Sequence, residues 1–168
     1  MFSPRADFAN QSAGAEVPAL LFMKGADKMA EFTNPNIVTV SAGENLPLTE
    51  TAVKGPACIV HREGAGIVTL RGLTNQCKAR FKVSFGGNIA VPTGGTAEVI
   101  SVALAIAGEP LNSATAIVTP AAAGNYFNVF AAAFIEVPRG CCVTVAVENT
   151  STQAIDIANS NLIVERVA

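Results

Sequence analysis

Residues 77–85 read CKARFKVSF, and this stretch decides the fold class because its apolar and charged side chains alternate strictly. The apolar positions are Ala79, Phe81, Val83 and Phe85, and the charged positions are Lys78, Arg80 and Lys82. Successive side chains of a β-strand point to opposite faces, so a period of two is the mark of a half-buried strand. The stretch therefore predicts a strand with one face in a core and the other in solvent.

Outward from this strand, short apolar segments alternate with turn signals. Residues 97–108, AEVISVALAIAG, place large aliphatic side chains at alternate positions with alanines between them, which predicts a strand buried on both faces. Glycine and proline clusters separate the other segments. Nine or ten short strands from residue 36 onward indicate an all-β antiparallel sandwich, with the jelly roll as the leading topology. The other predicted strands include 36–42, 58–61, 66–70, 113–119, 126–137, 142–149, 154–159 and 161–167.

The first 35 residues have a different pattern, because proline and glycine interrupt every apolar run. Apolar residues between 20 and 32 have near-helical spacing, but Gly25 breaks it. We expect an N-terminal arm at 1–35, followed by one jelly-roll domain at 36–168. A short apolar cluster in the arm cannot build a core of its own, so it should dock on a neighbouring subunit or a larger scaffold. That cluster is Leu20, Leu21, Phe22 and Met23.

Charge is scarce, at 14% of 168 residues, while half of the chain is hydrophobic. The second half is the poorest in charge, with Arg139 and Arg166 as its only basic residues. The net charge of −2 provides no electrostatic reason to expect nucleic acid or an anionic membrane as a partner. The start of the chain also lacks the pattern of a signal peptide.

Residues 110–135 carry no charged side chain at all. Pro120, Gly124 and Asn125 break this run, so it does not predict a membrane-spanning helix. Within the predicted strand 126–137, the period of two places Ile135 and Val137 in the core and turns Phe130 and Phe134 outward. Surplus apolar surface of this kind predicts an oligomer. The alternative is a single sandwich whose wide core takes both faces of the strand.

Four cysteines, at positions 58, 77, 141 and 142, match neither a zinc knuckle nor a redox motif. We expect buried thiols in a protein made in a reducing cytosol, with a Cys58–Cys77 disulfide as the alternative.

No catalytic motif is present, and neither a cofactor nor a metal is expected. The single histidine, His61, is expected to be a surface or turn residue beside Arg62 and Glu63. The basic stripe of Lys78, Arg80 and Lys82 is expected to be a solvated face, or else to contact an acidic surface of another protein.

Several segments together resemble the trimeric jelly roll of the tumour-necrosis-factor and complement family. The resemblance runs through IVTVSAGENLPLTETAV at 37–53, REGAGIVTLRGLTNQCKARFKVSFGGNI at 62–89, VALAIAGEPLNSA at 102–114, AFIEVPRGCCVTVAVEN at 133–149 and NLIVERV at 161–167. It departs from the family at residues 76–78, where relatives carry Pro-Gly. The resemblance implies three sandwiches around a threefold axis, with Phe130, Phe134 and Tyr126 at the trimer interface.

The segments at 61–76 and 137–145 further resemble head fibre and capsid decoration proteins of bacteriophages. This resemblance implies a non-enzymatic homotrimer, made in the bacterial cytoplasm, that binds the major capsid protein through Leu20, Leu21, Phe22 and Met23 and lies on the capsid surface. The alternative is a receptor- or carbohydrate-binding tip of a tail or fibre, with a host-surface glycan as partner. Sugar sites usually stack ligands on tryptophan or tyrosine, and this chain has no tryptophan and one tyrosine, Tyr126. That composition favours the structural role.

Overall fold

The computed structural model describes residues 28–168, and the structural statements below concern that part of the chain. Those residues form eleven strands, and none of them is in a helix that could cross a membrane. The strands are β1 Met29–Asn34, β2 Val38–Val40, β3 Glu50–Val53, β4 Ile59–His61, β5 Val68–Arg71, β6 Lys78–Ala90, β7 Ile100–Ile106, β8 Glu109–Val118, β9 Phe127–Pro138, β10 Cys142–Asn149 and β11 Ile155–Arg166.

The strands form two antiparallel sheets that pack face to face. The first sheet has the order β3-β1-β11-β6-β9, and β2 also pairs with β11. The second sheet has the order β4-β5-β10-β7-β8. Apart from the consecutive pairs β4–β5 and β7–β8, neighbouring strands are not adjacent in sequence, as in a jelly roll, where the chain crosses repeatedly between sheets. The prediction of an all-β antiparallel jelly roll is confirmed.

The core is built from the alternating residues that the sequence marks. Phe81 and Phe85 on β6 are at most 1% exposed, while Lys78, Arg80 and Lys82 on the same strand point to solvent. On β7, Ala103 is buried on the outer face as well, because a methyl group is covered by the side chains of the flanking strands β8 and β10. The strand buried on both faces is therefore observed as predicted.

The predicted N-terminal arm, 1–35, extends too far along the chain, because residues 29–34 belong to the sandwich. Strand β1 lies inside the first sheet, between β3 and β11, and it buries Ala30 and Phe32 in the core. The spacing of Met29 and Phe32 indicated a helix, because the alternation of exposed and buried side chains in this strand extends over only six residues. Residues 1–27 lie outside the described residues. The docking of Leu20, Leu21, Phe22 and Met23 therefore stays a prediction.

The last strand is one long element, although the sequence predicts two short ones separated near residue 159. Asn159 has φ +52°, and the pairing of β11 with β6 shifts register between Ala158 and Asn161. This is a β-bulge, which leaves the strand continuous while it breaks the alternation of side chains. Asparagine is among the residues that tolerate the left-handed conformation best.

One end of the sandwich, called here the terminal pole, is the end at which β1 begins and β11 ends. Three backbone hydrogen bonds hold its segments together. The N–H of Gly72 donates to the carbonyl of Cys141 at 2.9 Å, that of Arg139 to Cys77 at 2.9 Å, and that of Arg166 to Lys28 at 2.8 Å. Gly72 is required there, because an added Cβ would lie 2.0 Å from the carbonyl oxygen of Pro138. The opposite end is the distal pole.

Candidate functional site

The uncharged run identified in the sequence forms one complete side of the sandwich. It contributes most of β8 and most of β9, which are the edge strands of the second and first sheets, and these two strands contact each other. We call this surface the uncharged side, and it comprises residues 110–135. Soluble proteins usually protect an exposed edge strand with lysine, proline or inward-pointing charge. An edge without any charge is a surface suited to a permanent partner.

Two phenylalanines on β9 project from the outer face of the first sheet. Phe130 and Phe134 are each 66% exposed, whereas Ile135, the residue that follows Phe134, is buried. The orientation predicted for this strand is confirmed, and the alternative of a core that takes both faces is excluded within one copy. The role of Phe130, Phe134 and the 42% exposed Tyr126 in a trimer interface stays a prediction.

Small residues lie beside Phe130, whereas Phe134 lies opposite Lys82. Phe130 lies opposite Gly86 on β6, and Ala132 lies opposite Ser84. Farther across the same sheet face, Met29, Val53 and Ile163 line a depression of about 60 Å³. The outer face of the first sheet thus has the rings of Phe130 and Phe134 projecting at the β9 edge and a shallow, partly apolar depression toward the β3 edge. Such a face can receive the edge of a second copy.

A small ion-pair cluster borders the phenylalanines toward the terminal pole. Glu136 on β9 accepts hydrogen bonds from the ammonium of Lys78 and, at 2.6 Å, from the guanidinium of Arg80, both on β6. The hydrogen bond from Lys78, followed by that from Arg80, lowers the pKa of Glu136. The basic stripe therefore faces solvent as predicted, and two of its three cations are paired with this carboxylate. Contact of the stripe with an acidic capsid surface stays a prediction.

His61 has a packing role in the fold. Its ring lies 4.6 Å from the ring of Phe32, and its two nitrogens lie 3.1 Å from the carbonyl oxygens of Ile67 and Leu48. These contacts tie the β4–β5 hairpin to the segment before β3. The histidine is half-buried, so the expectation of a surface position is only partly met. Among residues 28–168, no group of three or more metal-binding side chains is placed together.

The expectation of four buried thiols is wrong for three of them. Cys58 is 3% exposed, but Cys77, Cys141 and Cys142 are exposed, and all four are unpaired. The alternative Cys58–Cys77 disulfide is not formed. Cys77 lies in the bend before β6, Cys141 in the turn before β10 and Cys142 at the first position of β10. All three lie at the terminal pole, at or beyond the ends of the alternating stretches, where alternation does not establish burial.

Sequence reasoning missed a second recess, which lies beside Tyr126. It measures about 430 Å³ and is lined by Pro35, Ile37, Asn88, Tyr126, Ala158 and Asn159. The amide of Asn128 donates to Asn88 at 3.1 Å, and the amide of Asn88 lies 3.4 Å from the side-chain oxygen of Asn159. Partial burial, and secondly the charge of Asp156, raises the pKa of Tyr126. These residues come from four separate segments, so no local signal could have found the recess.

Comparisons with known proteins concern the fold alone. No known protein-family model matches the chain. No curated protein sequence matches it either. Among solved structures, the globular domain of zebrafish complement 1qA protein has a TM-score of 0.60 at 8% identity and covers 84% of this chain and 98% of its own. Eiger TNF from S. frugiperda has a TM-score of 0.62 at 15% identity, covering 84% and 92%.

A third structure, murine APRIL, has a TM-score of 0.58 at 11% identity and covers 82% of this chain and 98% of its own. All three likenesses extend over more than four-fifths of the present chain. The fold is therefore a jelly roll of the tumour-necrosis-factor and complement type, as the sequence resemblance implied.

Proposed function

We propose that this protein is a non-enzymatic structural component of a bacteriophage particle, a homotrimeric head fibre or capsid decoration protein. The observation that carries the proposal is the uncharged side. The uncharged parts of two edge strands and two phenylalanines at 66% exposure form a surface that water does not stabilise. A second copy of the chain supplies the cover that this surface needs.

The two parts of the surface suggest how the copies meet. The uncharged side of one copy packs on the outer face of the first sheet of the next, so each copy uses two different surfaces. A contact of this type closes into a ring when the rotation between copies is right. Three copies are the number that the likeness in fold favours. Obligate interfaces of about 2,000–5,000 Å² resemble a divided core, which suits a chain that is 50% hydrophobic.

We propose a phage particle as the location because residues 61–76 and 137–145 resemble phage head proteins. In this proposal, Leu20, Leu21, Phe22 and Met23 hold the trimer on the major capsid protein, and the sandwich is displayed at the capsid surface. Unpaired thiols support synthesis in the reducing cytoplasm of a bacterial host.

A receptor- or carbohydrate-binding tip is the second candidate, and the recess beside Tyr126 favours it. An aromatic ring, the apolar Ile37 and several asparagine amides are the groups that bind the faces and hydroxyls of a sugar. The recess is shallow and carries a single aromatic ring, so the structural role remains the preferred function.

Oligomeric state tests the interface. We expect the wild-type protein to sediment as a trimer at micromolar concentration. The double variant F130S/F134S should sediment as a folded monomer, because both side chains are exposed in the single copy and their loss leaves the core intact. The matched control is V60S, an exposed residue on β4 outside the proposed contact, which should stay trimeric. A wild-type monomer contradicts the proposal.

Position on the particle tests the biological role. Gold-labelled antibodies against the purified protein should bind the heads of intact phage particles. Labelling of tail tips would instead support the receptor-binding candidate, and particles without label would contradict both. Particles of an unrelated phage serve as the control for specificity.

A further inference from the structure

The charges of the sandwich are separated by pole, although the sequence pattern does not show this. Residues 28–168 contain nine lysines and arginines, and only Arg62 lies in the half near the distal pole. Strand direction and register place the other eight in the half near the terminal pole. These eight are Lys28, Lys54, Arg71, Lys78, Arg80, Lys82, Arg139 and Arg166.

The acidic residues have a weaker bias toward the distal half, because four of them, Glu31, Glu109, Glu136 and Glu165, lie in the terminal half. Of the ten in residues 28–168, six lie in the distal half, and they are Glu44, Glu50, Glu63, Glu98, Glu148 and Asp156. In the terminal half, the carboxylate of Glu136 forms ion pairs with Lys78 and Arg80. Exposed cations such as Arg71 and Arg139 have no carboxylate within 4.0 Å among the described residues. They are therefore free to bind an external anion.

Apolar side chains are interspersed with these cations. Leu73 is 51% exposed and Val167 42%, and both lie at the terminal pole. The pole also has an open recess of about 670 Å³, whose lining includes Leu73, Asn75, Arg139 and Arg166. Arginine together with exposed apolar residues is the composition of a protein-binding surface. The exposed aliphatic side chains favour a protein over nucleic acid or an anionic polysaccharide as the partner of this pole.

We infer that the terminal pole docks on an acidic surface of another protein. Cations attract carboxylates, the planar guanidinium groups of Arg71 and Arg139 fit them in bidentate geometry, and the exposed aliphatic groups exclude water from the contact. Lys28, whose carbonyl accepts a hydrogen bond from the N–H of Arg166, also lies at this pole.

This inference does not depend on the trimer. The uncharged side lies along the flank of the sandwich, so lateral packing of copies leaves both poles accessible. In a trimer, three basic poles would lie next to one another and face one partner surface. The distal poles would then point away from it, with their acidic residues toward solvent.

Binding of the purified full-length protein to immobilised polyglutamate tests the inference, with heparin and anionic phospholipid vesicles as comparison probes. At low salt, we expect the wild type to bind polyglutamate more tightly than either comparison probe. Binding should weaken as salt screens the charges. The variant R139Q should weaken binding several-fold, and R71Q/R139Q about tenfold, since each removes an exposed cation of the pole.

The matched control is R62Q, which removes an equally exposed arginine at the distal half and should change binding less than twofold. Circular dichroism of each variant verifies that it is folded. A second readout needs no substitution: in the wild type, polyglutamate should protect Arg71 and Arg139 from phenylglyoxal, as read by mass spectrometry, and leave Arg62 reactive. Equal weakening by R62Q, preference for heparin or vesicles, or no binding would each overturn the inference.

Discussion

At the scale of single residues, exposure separates side chains that hold the fold from those available to partners. Phe81 on β6 and Phe130 on β9 are the same residue type on neighbouring strands, yet Phe81 is fully buried and Phe130 is 66% exposed. Truncating a buried phenylalanine costs about 3–5 kcal/mol of the free energy of unfolding. Truncating Phe130 in a single copy should have no comparable effect, as expected of a residue that the proposed function places between copies.

The cysteines allow a prediction at this scale. In the native protein, Cys77, Cys141 and Cys142 should react rapidly with a chromogenic thiol reagent, and Cys58 should react only after denaturation, because it is buried. The C58A variant should show the same three fast thiols and none released by denaturant. Reducing agent should leave the melting temperature unchanged. Four fast thiols, or only one, would contradict the structure of the terminal pole.

Glu136 allows a prediction of pH dependence. Its folded-state pKa lies below the ordinary value of 4.5, so its carboxylate form stabilises the protein above that value. The contribution is lost as the pH falls through the folded-state pKa. Urea unfolding should therefore show the wild type to be slightly more stable than E136Q at pH 7 and equal to it in strong acid. The effect is small because the ion pairs are exposed.

The control for Glu136 is the variant K78Q/R80Q, which removes both hydrogen-bond donors. The titration midpoint of Glu136, followed by NMR, should return to the ordinary glutamate range in this variant. A midpoint that is the same in the wild type and in K78Q/R80Q would show that the two cations do not act on the carboxylate.

At the scale of elements, β1 shows how a short strand can be essential to the sandwich. It pairs with β11 on one side and β3 on the other, and it contributes Ala30 and Phe32 to the core. Without it, β11 would become an open edge and the core would lose two of its side chains.

Truncation tests the place of β1. A variant that lacks residues 1–27 should keep the circular dichroism and cooperative melting of a folded sandwich. A variant that lacks residues 1–35 should fail to fold, because it removes a strand from the middle of the first sheet. If the longer truncation melted at the same temperature as the shorter one, β1 would be dispensable and the sheet order would be wrong.

At the scale of the whole molecule, flank and poles have separate properties. The uncharged side lies along the flank, where it suits contacts between copies, and the charges lie at the two poles. This division lets the chain assemble with itself through apolar contacts and meet other molecules through charge.

For the whole molecule, we predict a melting temperature that depends on protein concentration. If the native state is a trimer held by the uncharged side, dilution favours the unfolded monomer, and the melting temperature should rise with protein concentration. Calorimetry at two concentrations tenfold apart measures the shift. In F130S/F134S the melting temperature should be independent of concentration. The same independence in the wild type would show that each copy is stable alone.

The sequence by itself determined the properties that depend on local periodicity. The alternation at 77–85 predicted β6, the period of two at 126–137 predicted the outward direction of Phe130 and Phe134, and turn signals predicted the number of strands. These succeed because a strand places side chains on two faces whatever its partners are. The order of motifs along the chain carried the resemblance to the jelly roll.

Only the tertiary structure decided which strands and strand ends lie together. It brought the two uncharged edges onto one flank and included β1 in the first sheet. It also gathered eight cations and three exposed thiols near one pole, and it assembled the recess beside Tyr126 from four segments. Strand order depends on pairing between residues far apart in the chain, for example Met29 with Glu165. Hydrophobic periodicity contains no information about such pairs, because every half-buried strand presents the same alternation to any possible neighbour.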